Sequence, residues 1–163
     1  MTAPRIAMEL ALVAQLPREP WSVRTIRDSD AQGLAILLYA AFRGTVDDEG
    51  ETFSDAMTEI ENVFAGRYVR LLPDCSFVIE QGEFLASACL ISWFELHDAP
   101  LVVFTMTRPE SQRRGMARFL LRQSIDALLA AGHDRLTLVV TDTNLPAVAL
   151  YRALGFLPMP DLS

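Results

Sequence analysis

The chain has 163 residues, room for one domain with a real core but not for two comfortable ones. Hydrophobic residues make up 51% and charged residues 21%, a globular balance rather than a disordered one. The net charge of −7 argues against a general affinity for nucleic acid or an anionic membrane, and the longest apolar runs, 34–42 and 136–140, fall well short of a bilayer span.

Residues 1–16 show no apolar region followed by a small-residue cleavage site, so no signal peptide is expected and a cytoplasmic location is. Residues 1–20 are read as an N-terminal arm and 21–163 as a single domain. The segment 21–27 predicts a short strand that stops at Asp28-Ser29-Asp30, a helix cap. Residues 31–43 are apolar nearly all round and predict a buried helix ending near Gly44. An acidic loop follows, and then Thr52 or Ser54 caps a second helix through Phe64, closed by Gly66. Strands are expected over 76–80 and 83–95, joined by a tight hairpin at Gln81-Gly82, and over 101–107, ended by Pro109. Residues 114–131 predict an amphipathic helix with Gly132 at its end, and 135–141 a continuous apolar strand buried on both faces. A last helix is expected over 146–154, with Pro146 in its first turn and Gly155 beyond it. This order predicts an α+β fold around a mixed sheet, antiparallel on its N-terminal side.

Charge is unevenly spread. Asp47, Asp48, Glu49, Glu51, Asp55, Glu59 and Glu61 follow one another with no basic residue between them. Arg108, Arg113, Arg114, Arg118 and Arg122 are opposed only by Glu110, and the chain contains no lysine. An acidic protein that gathers its cations so closely is expected to meet an anion there. The two cysteines, Cys75 and Cys89, lack metal-ligand spacing and are read as reduced thiols, Cys89 in the core; no metal is expected.

The sharpest chemical signal is Pro109-Glu110-Ser111-Gln112-Arg113-Arg114-Gly115-Met116-Ala117, where a strand gives way to a helix. Free N–H groups and the dipole at a helix start bind phosphate oxygens, and Gly115 and Ala117 are small enough to let a pyrophosphate approach the backbone. Arg114, Arg118 and Arg122 share one helical face and could bond the same anion, or could form no more than a solvated face. The second constellation is N-x-x-A-x-x-L-Y-x-x-L-G-F over 144–156, in which Tyr151 stands beside the apolar face of a helix and is either a core tyrosine or one whose hydroxyl reaches a cleft.

Together these motifs resemble the GNAT superfamily of N-acetyltransferases: Gln112, Gly115 and Ala117 look like its coenzyme A loop, and residues 144–156 like its second hallmark. The resemblance covers about 21–156. It implies helices on both faces of a largely antiparallel sheet whose central strands, 101–107 and 135–141, splay apart. It implies acetyl-CoA as cosubstrate, held by Thr105, Met106, Thr107, Gln112, Arg113, Arg114, Gly115, Met116, Ala117, Arg118 and Asn144. Tyr151 would protonate the departing thiolate after direct attack by an amine on the thioester, with no covalent enzyme intermediate.

Two departures accompany the resemblance. Thr105 and Thr107 stand where the family usually has aliphatic residues, and the chain stops soon after the L-G-F. The last strand is therefore very short, or the arm or a second subunit covers that sheet edge, which raises the expectation of a homodimer. Glu95, His97 and Asp142 are candidate general bases, His97 being read preferentially as an exposed loop residue. The acidic loop falls where the family binds its acceptor, so it either attracts a cationic small molecule or peptide or is an ordinary solvated loop. A GNAT-like sensor that binds acyl-CoA without turnover is the alternative to an enzyme.

Overall fold

The computed structural model describes residues 3–16 and 21–160. One mixed sheet carries eight strands: β1 (Arg5–Ala11), β2 (Val23–Thr25), β3 (Arg70–Leu71), β4 (Phe77–Gln81), β5 (Phe84–Phe94), β6 (Ala99–Thr107), β7 (Arg135–Thr141) and β8 (Leu157–Pro158). Among the described residues four α-helices accompany it: α1 (Ala31–Phe42), α2 (Phe53–Ala65), α3 (Met116–Ala130) and α4 (Leu145–Ala153). The strand order is β2-β4-β5-β6-β7-β1-β8, with β3 beside β5. All pairs are antiparallel except β6 with β7.

Two apolar layers sandwich the sheet. On one face α1 and α2 pack Leu34, Leu37, Leu38 and Ile60 against Val78, Ala88, Leu90 and Met106. On the other, α3 packs Leu120, Leu121, Ile125 and Leu128 with Cys89, Ile91 and Leu138, and α4 adds Tyr151. Cys75 and Cys89 are both buried free thiols, and burial pushes Cys89 up to about 12.

Local chemistry explains the helix ends. Thr52 rather than Ser54 starts α2: its hydroxyl accepts from Asp55 N at 3.1 Å while Asp55 Oδ2 accepts from Thr52 N at 2.8 Å, a reciprocal capping box. Asp30 precedes α1 but makes no side-chain cap. It is gripped instead by both terminal nitrogens of Arg24 at 2.8 Å, which hold its carboxyl below the usual range against the opposing effect of burial.

Residues 5–11, read from the sequence only as part of an arm, form β1, which pairs with β7 along its whole length from Arg5↔Thr141 to Ala11↔Arg135. The two-residue β8 lies on its outer side, with Met159 N donating to Ala7 O at 2.8 Å. The chain thus covers the β7 edge itself.

Residues 135–141 were expected to be buried on both faces. Val139 is instead 44% exposed, because β6, still paired with β5, no longer pairs with β7 at that level.

Candidate active site

The site is built around that departure. β6 and β7 pair only at Leu101↔Thr137 and Val102↔Leu138. At the same level β6 carries an extra residue: Leu90 faces Phe104 while Ile91 faces Val102, so Val103 has no counterpart on β5. A bulge of this kind bends its strand and reverses which face the following side chains occupy. Accordingly Val102 packs in the α3 layer and Met106 in the α1 layer. Beyond Val102, no strand among the described residues pairs with the β6 edge that faced β7, which leaves that edge able to bond a ligand.

A cavity of about 760 Å³ occupies the gap, lined from β6 by Val102, Val103, Phe104 and Thr105, from β7 by Val139, Val140 and Thr141, and by Asn144 and Tyr151. Its outer wall comes from α1 (Tyr39, Phe42), the following loop (Asp47, Asp48, Glu51) and α2 (Asp55, Glu59), with Arg5 and Arg43 as its cations.

Tyr151 is 8% exposed, and its hydroxyl donates to Thr105 Oγ1 at 3.4 Å. Burial pushes this hydroxyl up to about 12 against the opposing hydrogen bond to Thr105, with the nearby Asp47 charge adding to the rise, so the group keeps its proton at neutral pH. The unexpected threonines of β6 thereby find partners: Thr105 receives Tyr151, and Thr107 Oγ1 lies 2.8 Å from Ser87 Oγ.

Asn144 caps α4 through its carbonyl, which accepts from Ala147 N at 3.3 Å, while its amide donates to Asp47 Oδ2 at 3.2 Å. Thr141 Oγ1 donates to Asp47 Oδ1 at 2.7 Å. Asp47 is therefore tied to the end of β7 and the start of α4 by one bond on each oxygen.

The loop 109–115 leads into α3, whose N-cap Gly115 has φ 79° and no side-chain cap bond. Arg113 also has positive φ, at 67°, uncommon for a side chain with a Cβ. Arg113, Arg114, Gly115 and Arg118 are exposed around the helix start, and Gln112 Nε2 donates to Thr107 O at 3.2 Å. Arg108 is engaged elsewhere, 3.1 Å from Glu110 and over the Phe84 ring. Uncapped first-turn N–H groups beside three arginines make this end of α3 able to take an anion.

Not every expected residue lines the gap. Thr105 does, whereas Met106 is 1% exposed and packs against α1, and Met116 is 1% exposed within the α3 layer. Arg122 is half-buried with its Nε unpartnered. Of the candidate bases, none lines the cavity. Glu95 and His97 lie in a 3-10 turn before the start of β6, at the strand end opposite Thr105. His97 is not an exposed loop residue: it is 8% exposed, its Nδ1 is 2.8 Å from Thr137 Oγ1, and Phe94 lies edge-on to its ring. Burial and the nearby Arg135 charge lower its pKa. Sequence reasoning missed Val103, Phe104 and the position of Asp47. No local signal marked the bulge; the acidic run marked the loop but not which acid reaches inward.

The acetyltransferase (GNAT) family profile matches residues 38–156. A curated relative, the [ribosomal protein bS18]-alanine N-acetyltransferase of Salmonella typhimurium, is 48% identical over 48 residues, a match that spans 29% of this chain and 32% of that protein. The crystal structure of a GCN5-related N-acetyltransferase from Sphaerobacter thermophilus superposes with a TM-score of 0.70 at 17% identity, covering 95% of this chain and 48% of the other. A GNAT family acetyltransferase from Brucella melitensis, solved in complex with acetyl-CoA, superposes at 0.62 with 19% identity over 86% of this chain and 90% of its own. The chain spans less than half the length of the first two of these relatives. With the profile covering most of its length and the parted strands at its centre, the chain belongs to the acetyltransferase (GNAT) family.

Proposed function

We propose that the protein transfers an acetyl group from acetyl-CoA to an amine carried on a cationic molecule, a peptide N-terminus or a small polyamine. One observation carries this reading: β6 leaves β7 after Val102 directly beside a buried, protonated Tyr151, so a slot for the pantetheine arm and a proton donor share one cavity. The phosphates would lie on the uncapped start of α3 among Arg113, Arg114 and Arg118, and the thioester carbonyl would meet backbone donors of β6 near the bulge. An amine nitrogen then attacks the carbonyl carbon, the C–S bond breaks, and Tyr151 gives its proton to the departing sulfur. The solved relative that holds acetyl-CoA and the curated relative that acts on an alanine of a ribosomal protein both support this chemistry. Five acids against two arginines around the outer wall favour a cationic acceptor.

The test is titration of the purified protein with acetyl-CoA by calorimetry, then release of free thiol in a panel of alanine-starting peptides, polyamines and aminoglycosides. Saturable binding with amine-dependent thiol release is expected. Binding without release by any amine would instead favour the sensor reading, which Tyr151 argues against. A homodimer in the cytoplasm stays part of the proposal, although β1 and β8 already cover the β7 edge; a partner copy would have to cover Leu157, 68% exposed on β8. Light scattering at micromolar concentration is expected to give twice the 18.1 kDa chain mass, and a monomer would remove it.

A further inference from the structure

The reaction needs a group that takes the amine proton, and the candidate bases singled out by the sequence, Glu95, His97 and Asp142, do not line the cavity. The acids that do line it differ in what they hold. Asp48 accepts from Gly44 N at 2.7 Å and Gly50 N at 2.8 Å, Glu51 accepts from Glu49 N at 2.9 Å, and Asp55 closes the α2 capping box. These three build the loop. Asp47 alone among them reaches across to the other wall, where Thr141 Oγ1 and Asn144 Nδ2 hold one oxygen each. A carboxylate oxygen has about two acceptor sites, so each Asp47 oxygen keeps one for a substrate N–H. Both anchors come from the elements that frame the gap, the last residue of β7 and the N-cap of α4, so the carboxylate is held in register with the parted strands and with Tyr151 on the same helix.

Resting on the acetyl-transfer reading above, we propose that Asp47 is the catalytic residue that orients the acceptor amine and takes its proton. The amine donates one hydrogen bond to Asp47 as its lone pair attacks the thioester carbonyl carbon. As the N–C bond forms the nitrogen becomes acidic, and its proton passes to the carboxylate. The C–S bond then breaks and the thiolate takes the Tyr151 hydroxyl proton. Return of the proton from Asp47 to the Tyr151 oxygen, across the cavity both line, restores the protein with one amide and one thiol formed. This also gives the loop after α1 a reason to be tied down over the slot: a carboxylate free to swing would lose the orientation on which proton transfer depends.

Three forms, wild type, Asp47→Asn and Asp47→Ala, are compared for acetyl-CoA affinity by calorimetry. Thiol release is then followed with spermidine and with an alanine-starting peptide as probe amines, and with water alone as the nucleophile. The expected result is a fall in kcat of about 10²–10³-fold in Asp47→Asn, as for loss of a positioned base, with acetyl-CoA affinity within threefold of wild type. Sodium formate should restore turnover to Asp47→Ala in proportion to its concentration. Should neither probe amine react with the wild type, slow hydrolysis of bound acetyl-CoA provides the same comparison, because a water proton would go to the same carboxylate. Wild-type kcat in both variants overturns the proposal. So does a loss confined to KM or to acetyl-CoA affinity that formate does not repair, which would make Asp47 a latch between walls. Failure of the wild type to bind acetyl-CoA would be distinct: it removes the acetyl-transfer reading, and this inference with it.

Discussion

The start of α3 and the outer wall of the central cavity are built on opposite plans. On the α3 side the protein presents backbone and arginine: a helix start without a side-chain cap, Gly115 and Arg113 in left-handed conformation, and Arg114 and Arg118 exposed beside them. On the α1–α2 side it presents carboxylates on a loop fastened by its own capping bonds. On the proposed reading, the first design suits an extended anion recognised through its phosphates, and the second would set charge and shape for whatever carries the amine. The contrast teaches where variation is tolerable: backbone recognition depends on conformation, so single changes there are severe, whereas carboxylate recognition is spread over several side chains.

The largest effect is expected at the start of α3. Gly115→Val should remove measurable acetyl-CoA binding by calorimetry. Nothing lies within 4 Å of the position its Cβ would take, so the damage comes from φ 79°, which costs a β-branched residue on the order of 1–2 kcal/mol, and from a side chain beside the phosphates. A melt lowered only by that strain, with binding lost, supports the assignment; unchanged affinity breaks it.

Within the cavity, Tyr151→Phe should lower turnover by about 10²–10⁴-fold while acetyl-CoA affinity changes little, because the ring still packs edge-on to Phe156. Steady-state kinetics with any amine that supports thiol release would check it, and full turnover in the variant would return Tyr151 to a packing role.

The same hydroxyl should appear in alkaline stability. Tyr151 and Cys89 are raised to about 12 by burial from ordinary values of 10.0 and 9.0. Above those ordinary values the unfolded chain has released protons that the folded chain still holds, so stability present below about pH 9 is lost as pH rises toward 12. Near pH 11 the combined loss is about 4 kcal/mol, roughly a third of it from Tyr151. Thermal melts across pH 8 to 11 should fall less steeply in Tyr151→Phe than in wild type; parallel slopes would contradict the burial of that proton.

The smallest effect is expected at the acidic outer wall of the cavity. Neutralising Glu59 by Glu59→Gln should raise KM for a cationic acceptor about two- to fivefold at low salt and leave kcat alone, since a single partly solvated charge is worth on the order of 1 kcal/mol or less. The difference should shrink in high salt. A change in kcat instead would mean that this acid takes part in the chemistry.

Much of this architecture is legible in the amino-acid sequence, because signals only a few residues apart decide where many elements begin and end. Thr52 with Asp55 starts α2, Gln81-Gly82 turns β4 into β5, and Asn144 with Ala147 starts α4. β1 escapes such a reading although its signal is present. Ile6, Met8 and Leu10 point inward with Arg5, Ala7 and Glu9 between them, but interspersed alanines blur the alternation. His97 is misjudged because burial of a lone histidine depends on Thr137, forty residues away, which supplies its partner.

By itself the sequence determined the four helices, strands β2 and β4 to β7, and most of their ends, because caps, turns and amphipathic periods are interactions within one or two turns of chain. It also supplied Tyr151 and Asn144 as a pair on one helix. Tertiary structure alone decided how far β6 follows β7, that Val103 bulges, and that Asp47 meets Thr141 and Asn144 across sequence separations of 94 and 97 residues. The reason is physical: such contacts form only when sheet register and two packed layers close long loops at once, and no local pattern records where those closures place a given carboxylate.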